Sequence, residues 1–116
     1  MVSGGGTVSS TTITIRLPLE LSDKLDYVSE NIGMTKSNLI RVAILKYLDV
    51  KQLDEFEEIK ASSESNKRIN LSLTELLYSI VKKRSDNLGV TVNSLIIYAS
   101  EKIQKHYSYM LESLDQ

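Results

Sequence analysis

The sequence predicts a mainly α protein carrying one short two-stranded antiparallel ribbon. Three observations predict it. The chain repeats itself at a shift of 56 residues without a gap; each copy opens on a short run of alternating apolar and polar residues; and each run is followed by two helical stripes separated by a glycine and a threonine. TTITIRLPLELSDKLDYVSENIGMTKSNLIRVAILKY aligns with KRINLSLTELLYSIVKKRSDNLGVTVNSLIIYASEKI. Identical pairs include Ile13/Ile69, Leu17/Leu73, Leu21/Leu77, Asn31/Asn87, Gly33/Gly89, Thr35/Thr91, Leu39/Leu95, Ile40/Ile96 and Ala43/Ala99. The apolar positions and the turn glycine carry the match, as expected of a duplicated strand, helix, helix unit.

In the first copy Ile13, Ile15 and Leu17 share one strand face and Thr12, Thr14 and Arg16 the other. In the second, Ile69, Leu71 and Leu73 point inward and Arg68, Asn70 and Ser72 outward. Pro18 cannot donate to a strand ladder but suits a first helical position, so the first strand ends there; Thr74 is the matching N-cap. Leu21, Leu25, Val28 and Ile32 then form one helical stripe, closed by Gly33 as a C-cap. Its counterpart has Leu77, Val81 and Leu88 before Gly89, with Arg84 at the third stripe position and Leu76 and Ile80 available to compensate. Thr35 and Thr91 are N-caps for second helices that bury Leu39, Ile40, Ala43 and Tyr47, and Leu95, Ile96, Ala99 and Ile103.

A lone short strand leaves both edges unpaired, and two short helices enclose no core. Strand 12–17 is therefore expected to pair antiparallel with strand 68–73, the helices covering one face. The expected division is a flexible arm (1–10), a first unit (11–50), an acidic, partly helical linker (51–66) with Leu53, Phe56 and Ile59 on one helical face, and a second unit (67–116) whose last helix is extended by Tyr107, Met110, Leu111 and Leu114. At 116 residues the chain holds one compact domain or two small motifs sharing a core. No window approaches the roughly 18 apolar residues of a membrane span, and the opening MVSGGGTVSS has neither the charge nor the apolar run of a signal or transit peptide. Without cysteine there is no disulfide framework and no thiolate metal site.

The net charge of −1 argues against a uniformly basic surface, but charge segregates. Residues 51–66 hold two basic and five acidic side chains, whereas residues 67–116 hold seven and five, so local positive surfaces remain available outside the linker. The ribbon's other face displays Thr12, Thr14, Arg16, Arg68, Asn70 and Ser72, none of them apolar. Two readings stand for that face: a solvated strand surface, or a reader of the B-DNA major groove. That groove accepts a two-stranded ribbon, and in it Arg bonds guanine bidentately, Asn bonds adenine bidentately, and Ser or Thr contacts several bases.

The run ITIRLPLELSDKLDYVSENIGMTKSNLIRVAILKYL resembles the ribbon-helix-helix family of DNA-binding proteins, the Arc and MetJ superfamily. The shared features are the alternating strand, the Pro or polar helix start, the I/L-G-x-[ST] turn and the following L-I-x-x-A, present in both copies. The resemblance implies a tandem ribbon-helix-helix chain folded as an intramolecular pseudo-dimer, similar to tandem regulators of archaeal viruses. It implies a sequence-specific transcriptional regulator of double-stranded DNA, a repressor by default, in the cytoplasm of a prokaryotic or virus-infected host cell. Base contacts would come from Thr12, Thr14, Arg16, Arg68, Asn70 and Ser72. Phosphate contacts would come from the second-helix starts, Thr35, Lys36 and Ser37, and Thr91, Val92 and Asn93, where first-turn amides favour an anion. Capping alone would also explain both threonines.

Other classes have less to stand on. His106 is the only histidine, and no Gly-rich phosphate loop or spaced metal-ligand cluster is present, so neither catalysis nor a cofactor or metal is expected. The carboxylates Asp54, Glu55, Glu57 and Glu58 crowd one linker and read as solubilising. The serious alternative is an antitoxin-like or other protein-binding module of the same family; a structural oligomer is a third. The linker and C-terminal apolar faces either pack on the core or support self-association, and Lys82, Lys83 and Arg84 are either a solvated face or a contact for flanking phosphates.

Overall fold

A computed structural model describes residues 10–58 and 65–114. It is mainly helical, with a two-stranded antiparallel sheet and four helices, in the order β1 (Ser10–Pro18), α1 (Leu19–Ile32), α2 (Lys36–Ala43), β2 (Asn66–Thr74), α3 (Glu75–Leu88) and α4 (Val92–Leu114). A π-helical turn, Ile44–Leu48, continues α2. Ser10 already belongs to β1, so the strand starts one residue inside the segment expected to be an arm; the rest of that segment lies outside the described residues. No described helix is long and apolar enough to cross a membrane.

The strands pair antiparallel with Thr14 opposite Asn70, two positions separated by the 56-residue repeat shift. Alternation then sorts the side chains: Ile15, Leu17, Leu71 and Leu73 are buried, Ile13 and Ile69 pack partly against the same core, and the polar set stays on the far face. Pro18 is the last strand residue and the N-cap of α1, one place earlier than a first helical position. It offers no side-chain cap, and the Leu19 amide instead donates to the Ser65 carbonyl at 3.0 Å, tying the start of α1 to the residue before β2.

The turns follow the local chemistry read from the sequence. Gly33 and Gly89 end α1 and α3 with φ of 72° and 66°, the left-handed region that a side chain disfavours. Each is stitched by the same device: the amides of Gly33 and Met34 donate to the Ser29 carbonyl, and those of Gly89 and Val90 to the Ser85 carbonyl. Thr74 caps α3 by accepting from the Leu77 amide at 3.3 Å. Leu21, Leu25 and Val28 of α1, Leu77 and Val81 of α3, and Leu39, Ile40, Ala43, Leu95, Ile96, Ala99 and Ile103 of the second helices all enter one core.

The second copy departs from its expected stripe. Leu88 is 45% and Leu76 64% exposed, while Ile80 packs against the core. Arg84, at the position of Val28, is half-buried. Its guanidinium donates to the carbonyls of Leu48 (3.1 Å), Lys51 (3.3 Å) and Val50, where the π-helical turn leaves acceptors without intrahelical partners. The linker also differs: residues 51–58 contain no helix, and Ile59 lies outside the described residues. Leu53 and Phe56 nevertheless reach the core. Phe56 meets Tyr98 edge-on at 5.3 Å, the Tyr98 hydroxyl donates to the Asp54 carbonyl at 2.6 Å, and Lys102 pairs with the Asp54 carboxylate at 3.3 Å. Burial pulls the Lys102 ammonium down, but the bond to Asp54 and the proximity of Tyr98 and Glu55 outweigh it, leaving its pKa above the ordinary lysine value. Tertiary contacts thus hold an irregular, bent segment that local propensity would make helical.

Candidate nucleic-acid interface

The polar ribbon face is built by pairing. The register sets Thr12 opposite Ser72, Thr14 opposite Asn70 and Arg16 opposite Arg68, so all six sequence-predicted base-reading positions fall in three cross-strand rows. Ser72 is half-buried and the other five are exposed. In the central row the Thr14 hydroxyl donates to Asn70 Oδ1 at 3.0 Å, which orients the carboxamide while leaving Nδ2 and a second Oδ1 lone pair for an outside partner.

The rows are unequal. Arg16 and Arg68 share one end of the ribbon, and Thr12 with Ser72 the other. Among the described residues, neither arginine side chain has an ion pair or hydrogen bond, although like charges directly opposite one another are unfavourable. Among the described residues, two exposed cations therefore face each other without a carboxylate paired to either.

The first turn of α4 meets the edge of β1 through Asn93, and the last turn of α2 meets the edge of β2 through Arg41. Thr35 accepts from the Asn38 amide at 3.1 Å, and Thr91 accepts from the Ser94 amide at 3.1 Å. These caps use the third helical amide in each case and leave those of Lys36 and Ser37, and of Val92 and Asn93, as first-turn donors. Side chains at the two starts are committed differently. Lys36 Nζ is held by Asp26 at 2.9 Å and by the Ser22 hydroxyl at 2.8 Å, so its charge is already partnered. Val92 packs partly against the core.

Asn93 has a role the sequence reading missed. Its Oδ1 accepts from the Arg16 amide at 2.7 Å and its Nδ2 donates to the Arg16 carbonyl at 2.9 Å, a bidentate clamp on the outer edge of β1. On the other edge, Arg41 Nε donates to the Ser72 carbonyl at 2.7 Å, with its Nη1 braced by Asn38 Oδ1 at 2.6 Å. A side chain from α4 thus covers an edge of β1, and one from α2 an edge of β2. A two-stranded sheet has no other strands to pair its outer groups, so side chains with matching donors and acceptors must do so. An amide side chain one turn from a strand edge is the signal for Asn93; Arg41 carries no comparable local mark.

Among the described residues no group of three or more histidine, aspartate or glutamate side chains is placed to hold a metal ion. Scanning the chain against models of protein families, and searching characterised proteins and solved structures, yields no match.

Proposed function

We propose that this chain is a tandem ribbon-helix-helix protein, folded as an intramolecular pseudo-dimer, which binds double-stranded DNA in the major groove and regulates transcription, by default as a repressor. The observation that carries the reading is the polar ribbon face: six polar side chains in three rows, on the side of the sheet away from the helices. Such a ribbon fits the major groove. Support also comes from the two second-helix starts, whose capping threonines leave first-turn amides that suit phosphates. The side-chain clamps on both edges stiffen the ribbon, so less order has to be gained on binding.

The test is enrichment of the purified protein on a random duplex-DNA pool, beside a variant with Thr14, Arg16, Arg68 and Asn70 all replaced by alanine. A reproducible motif that disappears in the variant supports base readout by the ribbon. A folded protein that enriches nothing removes the reading and leaves the antitoxin-like, protein-binding alternative in its place. One observation favours a protein contact in addition: the end of α4 exposes Tyr109 (73%), Met110 (50%) and Leu114 (79%), and self-association is proposed through that end rather than through the linker, whose Leu53 and Phe56 pack inward.

A further inference from the structure

The cross-strand register makes the ribbon chemically polar, although its backbone is symmetric about the Thr14–Asn70 row. Repeat-related positions would place like residues at opposite ends, but the sequence puts Arg at 16 and at 68, which are not repeat-related: the partner of Arg16 at the 56-residue shift is Ser72, and that of Arg68 is Thr12. Antiparallel pairing then brings both arginines into one row. The Arg16 amide and carbonyl point away from β2 to Asn93, so this is a non-hydrogen-bonded row, the type in which facing side chains stand closest, with α-carbons about 4.5 Å apart.

We infer that the DNA site is non-palindromic, with two guanines in neighbouring base pairs, on the same or opposite strands, under the Arg16–Arg68 end and no such requirement under the Thr12–Ser72 end. The inference rests on the DNA-binding reading above. Four residue steps along each strand separate the two end rows, about 13 Å at about 3.3 Å per residue, or about four base-pair steps at 3.4 Å each. The ends of the ribbon therefore meet different base pairs. Each guanidinium can donate two bonds to guanine O6 and N7, and two uncompensated cations side by side are best satisfied by two such acceptor pairs. Thr12 and Ser72 have single hydroxyls that both donate and accept, and so discriminate little. The central Asn70 carboxamide, oriented by Thr14, adds an adenine preference between the ends. A chain bound this way sits on DNA in one orientation.

The experiment is selection on random duplex DNA with the full chain and with three variants whose folding is checked by thermal melting: Arg16→Ala/Arg68→Ala, Arg16→Lys/Arg68→Lys, and Thr12→Arg/Ser72→Arg. The native chain should select guanines at one end only. The alanine and lysine pairs should both lose discrimination there, by roughly tenfold to a hundredfold per guanine, because lysine keeps the charge but not the bidentate fork. Adding arginines at the other end should extend the guanine requirement to it. A palindromic native motif would overturn the polarity while leaving the DNA-binding reading intact. Equal weakening of the alanine pair on all sequences, with the lysine pair unaffected, would assign the arginines to phosphates and overturn guanine readout. No enrichment by the native chain would sink the DNA-binding reading and this inference with it.

Discussion

The two strand, helix, helix segments share most of their buried positions and the glycine turn between their helices, but they divide the polar work unequally. Leu17 and Leu73, Leu25 and Val81, and Leu39 and Leu95 occupy repeat-related core sites and are all fully buried. Ser29 and Ser85 close the same glycine turns. At the surface the copies part. Arg41 covers the edge of β2 while its counterpart Ile97 is buried; Asn93 covers the edge of β1 while its counterpart is Ser37; Arg84 reaches the end of the first copy while its counterpart Val28 is core. A duplicated unit must keep its apolar sites because both copies fill one core. Its polar sites are free to specialise, since a contact needed once per fold can be supplied from either copy.

The largest expected effect tests the shared part. Leu17→Ala and Leu73→Ala should each lower unfolding stability by about 2 to 5 kcal/mol and by similar amounts in denaturant titrations, since both side chains are fully buried in the same layer. A marked inequality would break the equivalence of the two cores. The specialised part should show smaller and lopsided losses. Arg84→Ala, which strips donors from the carbonyls of Leu48, Val50 and Lys51, should cost about 1 to 3 kcal/mol, with faster amide exchange concentrated near residues 44–51. A uniform rise in exchange across the molecule would contradict a local capping role. Smallest is the edge clamp: Asn93→Ala should cost about 1 to 2 kcal/mol, whereas Ser37→Ala at the repeat-related site should stay within about 0.5 kcal/mol. Equal costs would remove the distinction between the two strand edges.

Much of this architecture was legible because it depends on short-range rules. Alternation placed the strands; the Gly33 and Gly89 turns and the Thr35, Thr74 and Thr91 caps are chemistry between residues no more than five apart. The six ribbon residues were assigned to the outer face by the same alternation. The misreadings have a common origin. Residues 51–58 carry helix formers, yet the contacts of Phe56 and Asp54 with Tyr98 pin them in a non-helical course. Arg84 resembles a solvated basic residue until the end of the first copy is brought beside it.

By itself the sequence determined the strand and helix order, the turns, the inward face of each element and the expectation of antiparallel pairing, because apolar periodicity and capping act locally along the chain. Only the tertiary structure decided the register that puts Arg16 beside Arg68, the Asn93 and Arg41 clamps on the strand edges, and the packing of the linker on α4. Those depend on contacts between residues tens of positions apart, and no local pattern says which polar group will meet which until the shared core has brought the two copies together.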